Sequence, residues 1–195
     1  MSKLLENTFR LVNISFINEL TTLCVEMNID INEVIDAASS KPYGFLPFRP
    51  SFGAGGHCIP VDPVYLTEFA MSKGIALRTV ELAKEVNSDQ VNFYIDLVNR
   101  KLGSLIAKRI LVIGLAYKAN LSDVRETPVK KLIESLRNSG ADVKWHDELV
   151  KSWEGEESTP ITLNFDLAIV ATKHDYINLT SLQGLQILTA NGLFS

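Results

Sequence analysis

The spacing of apolar residues changes character once along this chain, near residue 103, and that change bounds what it can fold into. Before it, apolar residues recur at helical spacing. After it, Arg109-Ile110-Leu111-Val112-Ile113-Gly114 is a short, continuous apolar run closing on a glycine, the pattern of a buried parallel strand. Thr127-Pro128 opens a helix that reaches Asn138, and Gly140 closes it. A second strand is expected over 142–145 and a third over 165–171. Strand, helix and strand in this order predict a parallel α/β sheet with right-handed crossovers. Such sheets bind ligands at the carboxyl ends of their strands, and here the first strand delivers Gly114-Leu115-Ala116-Tyr117-Lys118. The expected fold is therefore α/β overall, with an all-helical part over 1–103 followed by a parallel α/β domain over 104–195.

Within the helical part, residues 3–28 read as one amphipathic helix with Leu5, Phe9, Val12, Phe16, Leu20, Leu23 and Met27 as its apolar stripe. Lys3 and Asn7 lie one turn apart on a different face, which spacing alone would leave as a solvated face. No start signal precedes this helix, which suggests a chain cut from something longer. Asp30 with Glu33 makes a capping-box-like start for a short helix over 31–38. Pro42, Pro47 and Pro50 hold 39–56 out of regular structure. That loop carries Tyr43, Phe45, Phe48 and Arg49, which suit either stacking and phosphate pairing or a packed surface loop. A longer helix over 79–102 has Val80, Ala83, Val86, Val91, Ile95, Val98 and Leu102 as its stripe, and at ~1.5 Å per residue it is long enough to link two domains.

Between these helices stands Gly53-Ala54-Gly55-Gly56-His57-Cys58-Ile59-Pro60-Val61-Asp62-Pro63. Three glycines in four residues allow a sharp turn and close approach of a ligand. Asp62 then Pro63 reads as a helix N-cap and first helical residue. Cys58 is thus placed on a glycine-rich loop just before a helix N-terminus, a setting that favours the thiolate. Spacing alone leaves two readings open, a reactive thiol and the small buried apolar residue that a free cysteine usually is. Cys24, on an apolar helix face, fits the second.

Composition removes several function classes. The 195 residues carry a net charge of −4 with no basic stripe, which argues against a nucleic-acid partner. No apolar run approaches the ~20 residues of a membrane span, and Lys3, Glu6 and Arg10 interrupt any signal-peptide pattern at the start. Two unclustered cysteines fit a reducing cytoplasm, and His57, His146 and His174 have no metal-ligand spacing.

The run from Gly53 through Pro63, followed by Tyr65-Leu66, resembles the catalytic-cysteine motif of the UDP-glucose/GDP-mannose dehydrogenase family, and most closely its bacterial branch acting on UDP-N-acetylhexosamines. Lys3-Leu4-Leu5-Glu6-Asn7-Thr8-Phe9-Arg10, with Asn13-Ile14 and Asn18-Glu19, is similar to the family's active-site helix. Gly114 through Lys118, continuing through Ser122-Asp123-Val124-Arg125-Glu126-Thr127-Pro128, resembles its G-x-A-Y-K…D-x-R-E-S-P signature.

The resemblance covers nearly the whole chain but only the second part of a family member. It implies a central helical domain that dimerises through the long helix, then a Rossmann-like domain that holds the UDP end of the substrate. Family chemistry oxidises a hydroxymethyl group twice with NAD⁺. A cysteine thiolate captures the intermediate aldehyde, and water hydrolyses the resulting thioester. Cys58 is then the nucleophile, Lys3 and Asn7 the oxyanion and water partners, and Asp62 a base or water holder. Phe45, Phe48, Arg49, Arg10, Gly55 and Lys118 become substrate contacts, while Arg125 fits equally an internal anchor for Asp123 or Glu126.

The family's N-terminal NAD-binding domain has no counterpart here, and no strand-linked G-x-G-x-x-G is present, so NAD is not expected to bind these residues. Two further departures stand out. His146-Asp147-Glu148 lacks the family proline after aspartate, and if the chain end aligns with the family's Asp-Thr-Arg-Gly-like turn, Thr189 replaces the aspartate and Asn191 the arginine. Asparagine has no charge and no bidentate fork, so phosphate pairing at that position is lost. The expectation is a truncated nucleotide-sugar 6-dehydrogenase, inert alone, dimeric and UDP-sugar-binding. The alternatives are a UDP-sugar-binding pseudoenzyme or subunit that joins a separate NAD domain, and a purely structural dimer.

Overall fold

The computed structural model describes the backbone of residues 1–195 and the side chains of all but Leu179. Four helices come first: α1 (Ser2–Glu26), α2 (Ile31–Ser39), α3 (Asp62–Ser72) and α4 (Arg78–Leu102). The strands β1 (Arg109–Ile113), β2 (Asp142–His146), β5 (Leu167–Val170) and β6 (Ile187–Thr189) form one sheet in the order β2-β1-β5-β6, and every pairing is parallel. Helix α5 (Pro128–Asn138) crosses from β1 to β2, its N-terminus capped by the Thr127 hydroxyl, which accepts from the Val129 amide. The small antiparallel ribbon β3 (Ser152–Trp153) and β4 (Glu156–Glu157) has no counterpart in the expected strands.

Alternation along the strands sorts the core into two sides. Ile110, Val112 and Ile169 point to the side covered by α5 and α4, where they meet Val91, Tyr94, Val98, Leu132 and Leu136. Leu111, Ile113, Ala168 and Val170 point to the other side, which is closed by the loop residues Ile161, Phe165 and Ile177 and by Leu182 at the end of a short 3-10 helix.

This packing corrects the expected role of the α4 stripe. Val91 and Val98 are 2% and 0% exposed within a single chain, packed on the sheet core. Each such burial contributes about 1.5–3 kcal/mol, so these residues are not free to face a second copy. Lower on the same helix, Ala83 packs with Leu11 of α1 and Ala54 of the cysteine loop. One helix therefore holds both halves of the molecule.

The α1 stripe is corrected in the opposite sense. Leu5, Phe9, Phe16, Leu23 and Met27 are exposed, while the helix buries Thr8, Leu11, Ser15, Ile17, Asn18, Thr21 and Cys24. Of the polar members of the buried face, Ser15, Asn18 and Thr21 have hydrogen-bond partners, whereas the Thr8 hydroxyl has none. Ser15 donates to the Ala83 carbonyl at 2.8 Å, and Asn18 Oδ1 accepts the Ser51 amide at 2.8 Å. Among the described residues, no helix is long and apolar enough to cross a membrane.

Candidate active site

Lys3 and Asn7 occupy successive turns at the start of α1, and Asp62 occupies the first turn of α3. Asp62 is not the N-cap that the sequence suggested. Val61 holds that position and Pro63 follows inside the helix, which leaves the Asp62 carboxylate free to turn toward α1. There Asp62 Oδ2 accepts Asn7 Nδ2 at 2.5 Å and pairs with Lys3 Nζ at 3.1 Å. The Asn7 amide, followed by the Lys3 ammonium, holds the Asp62 carboxyl below its ordinary range against the opposing effect of burial. In return Asp62, and after it Cys58, raise the Lys3 ammonium. Cys58 is half-buried, and its carbonyl accepts the Asp62 amide at 2.9 Å, so a short turn fixes the spacing from thiol to carboxylate. Cys24 is buried. A cation, a carboxylate, an amide and a thiol thus converge from two segments more than fifty residues apart.

The cysteine loop is seated on a strap, residues 114–127, that runs from β1 to α5. A Cβ at Gly55 would lie 2.8 Å from both Pro128 Cδ and Tyr117 Cβ, and one at Gly56 would lie 2.7 Å from the Tyr117 ring. Gly56 also has φ +86 and donates its amide to the Arg125 carbonyl at 3.2 Å. Only glycine allows this approach and this turn. From below, Asn87 of α4 accepts the Ala54 amide at 2.6 Å. Arg125 anchors Asp123 through a fork of 3.0 Å and 2.6 Å bonds, and the guanidinium holds that carboxyl down to about 2.

The remaining expected contacts lie elsewhere. Arg49 is engaged by Asp36 and by the Asn32 carbonyl on α2, and Phe48 stands edge-on to Phe9 with ring centres 5.8 Å apart. Phe45 is exposed beside Tyr43, Arg10 pairs with Glu6, and Lys118 is exposed on the strap. Asn191 serves a structural turn. Its oxygen accepts the Thr189 hydroxyl at 2.7 Å and the Leu193 amide at 3.1 Å, while Nδ2 donates to Asp30 at 3.0 Å. Tyr117 and Asn87, which shape the cysteine loop, carried no sequence signal of that role, because their partners are more than thirty residues away.

The carboxyl end of β1 is not shaped for a dinucleotide. The Leu115 and Ala116 amides, which in a dinucleotide turn would face a pyrophosphate, are taken by Asp147 Oδ2 at 2.8 and 3.3 Å. The next helix begins only at Pro128. NAD does not fit there. Among the described residues, no group of three or more His, Cys, Asp or Glu side chains could hold a metal ion.

Residues 1–89 match the central domain of the UDP-glucose/GDP-mannose dehydrogenase family, and residues 111–193 match its UDP binding domain. A Ralstonia solanacearum protein named NDP-N-acetyl-D-galactosaminuronic acid dehydrogenase is 31% identical over an alignment covering 100% of this chain. The chain belongs to the UDP-glucose/GDP-mannose dehydrogenase family.

A Campylobacter jejuni relative in this family, UDP-N-acetyl-D-mannosamine dehydrogenase, is 35% identical over 72% of the chain. Among solved structures, the UDP-D-ManNAc dehydrogenase of Pyrococcus horikoshii superposes with a TM-score of 0.83 at 28% identity over 97% of the chain. The chain spans only part of these family members, 48%, 34% and 47% of their respective lengths.

Proposed function

We propose that these residues carry the thiol and the UDP-sugar site of a nucleotide-sugar 6-dehydrogenase whose substrate is a UDP-N-acetylhexosamine. The observation that carries the reading is the convergence of Lys3, Asn7 and Asp62 beside Cys58. That set suits aldehyde capture. The Cys58 sulfur adds to the carbonyl carbon, and the developing oxyanion is stabilised by the Lys3 ammonium and a donor from Asn7. At the thioester stage, Asp62 orients a water toward the same carbon and Cys58 leaves as thiolate. When bound to the enzyme, NAD would supply the hydride acceptor for the oxidation of the captured aldehyde. The proposed division is a helical domain over 1–103 and a UDP-sugar domain over 104–195, in a cytoplasmic homodimer.

The specificity for N-acetylhexosamines rests on the names of the relatives and on the likeness of the cysteine loop. A second reading, a UDP-sugar-binding module without catalysis, is favoured by one observation. Asn191, the residue expected in place of a family arginine, is engaged in a turn with Thr189, Leu193 and Asp30. Calorimetric titration with UDP-N-acetylmannosamine tests the shared core of both readings and is expected to show one site per chain. No heat with any UDP-sugar would leave only a structural role for the chain.

A further inference from the structure

Behind the strap lies a buried acid–histidine pair that the proposed chemistry does not use. Asp147 and His174 are both 0% exposed. Asp147 Oδ1 accepts the amides of Leu149 and Val150 at 2.9 and 3.1 Å. Its Oδ2 accepts those of Leu115 and Ala116 and faces His174 Nε2 at 3.1 Å. On the far side of the ring, His174 Nδ1 accepts the Asn120 amide at 2.8 Å. A ring nitrogen that accepts a backbone N–H carries no proton, so His174 is neutral with its one proton on Nε2, donated to Asp147. The pair looks like half of a catalytic triad, yet the nitrogen that would act as base is already occupied.

What the pair does hold is both ends of one segment. Asp147 binds the strap where it leaves β1, at Leu115 and Ala116, and His174 binds it at Asn120. Asn120 takes a left-handed φ of 64 and closes on Asp175 through two further bonds, Nδ2 to Oδ2 at 2.8 Å and the Asp175 amide to Oδ1 at 3.0 Å. The start of the strap is fixed as well. Gly114 has φ +84, and a Cβ there would lie 1.9 Å from the Thr172 carbonyl oxygen. Thr172 Oγ1 also donates to the Ala116 carbonyl at 2.7 Å. Between the clamped ends stand Tyr117, which walls the Gly55–Gly56 edge of the cysteine loop, and Lys118, exposed at the carboxyl end of β1.

We infer that Asp147 and His174 are positioning residues that clamp the strap over 115–120, so that Tyr117 seats the Cys58 loop and Lys118 meets the diphosphate of a nucleoside diphosphate ligand. The ligand half rests on the function proposed above, whereas the effect on Cys58 does not. Loss of the clamp lets Tyr117 withdraw, and Cys58 drifts from the Lys3 ammonium that favours its reaction.

The test uses the 195-residue chain and two variants. His174→Phe keeps a ring against Tyr176, whose own ring stacks at 5.1 Å, but removes both hydrogen bonds. His174→Asn keeps an acceptor near the Nδ1 position. Nitrogen NMR of labelled histidine is expected to show His174 as the Nε2–H tautomer. In His174→Phe, amide exchange at Asn120 rises about tenfold, alkylation of Cys58 slows about threefold or more, and the Kd for UDP rises about tenfold, the scale of a lost buried hydrogen bond. In His174→Asn, Asn120 stays protected and both other values stay within about threefold of the parent.

An imidazolium or Nδ1–H tautomer in the parent overturns the inference. So does a folded His174→Phe variant with parental Asn120 exchange and Cys58 reactivity. If that variant does not fold, the parent's tautomer and the Asn120 protection in His174→Asn decide the matter, and lost protection there refutes the clamp. Failure of the parent to bind UDP overturns the ligand half alone, since Asn120 exchange and Cys58 alkylation still decide the clamp.

Discussion

At the scale of single residues, the four groups at the thiol differ from a solvated patch in one respect: each side chain has a partner among the others. Asp62 takes both Asn7 and Lys3, and Lys3 is raised by Asp62 and by Cys58. Cys58, half-buried on its loop, is expected to alkylate about tenfold faster or more than Cys24, which is buried at 6% exposure. Equal rates in a mass-spectrometric time course would remove the case for a reactive thiol. Asp123 yields a pH prediction with a defined sign. Its folded carboxyl lies at about 2, against an ordinary 3.8, so its contribution to stability is present above the ordinary value and is lost as pH falls toward 2. Urea melts should therefore show a gap between the parent and Asp123→Asn at pH 7 that closes by about pH 2. Cys58, Lys3, Asn7 and Asp62 were singled out in the sequence through the family resemblance, since spacing alone left Lys3 and Asn7 on a solvated face and Cys58 with two readings. Asp147 and His174 were not. They come from two different strand ends, and nothing local marks a contact across 27 positions.

At the scale of elements, periodicity told which residues share a helix face but not what covers that face. The apolar stripes of α1 and α4 were both legible, and their fates were exchanged. The α4 stripe is occupied by the sheet core, and the α1 stripe is left exposed. The proposed dimer is therefore expected to form over α1, through Phe16 and Leu23 together with Leu82 of α4, which are 60%, 56% and 57% exposed. Light scattering should find a dimer at micromolar concentration, and Phe16→Glu should shift it to monomer; a parent that is already monomeric contradicts this. The glycine pair of the cysteine loop yields a second prediction. Gly56→Ala places a side chain at φ +86 against the Tyr117 ring and should destabilise the chain by about 1–3 kcal/mol. Tyr117→Ala should recover part of that loss, because it removes the clash and leaves only the backbone strain. Equal melting temperatures for Gly56→Ala and the parent would mean that the loop is not seated on the strap.

At the scale of the whole molecule, the division into a helical half and a parallel sheet was legible from a single change of period, because helices and buried strands space their apolar residues differently. The β3–β4 ribbon was not legible, since two-residue strands carry no period. The seam between the halves was equally silent. It includes α4 shared by both cores, the Tyr94 hydroxyl donating to the Ala190 carbonyl at 2.6 Å, the Asn191 side-chain amide donating to Asp30 at 3.0 Å, and the glycine loop on its strap. Across that seam the loop that carries the thiol is seated on the strap that leaves β1. The β1 turn is closed to a dinucleotide by Asp147, so this polypeptide with NAD⁺ and UDP-N-acetylmannosamine should give no NADH. Turnover that vanishes in Cys58→Ser would show a dinucleotide site within these residues.

The central claim is that Cys58 and the UDP-sugar share one site. Its most direct test is the alkylation rate of Cys58 against rising UDP-N-acetylmannosamine, with Cys24 read in the same sample. Saturable slowing at Cys58 with no change at Cys24 is the predicted result. A Cys58 rate unchanged at saturating UDP-sugar, with binding confirmed by calorimetry, would contradict it.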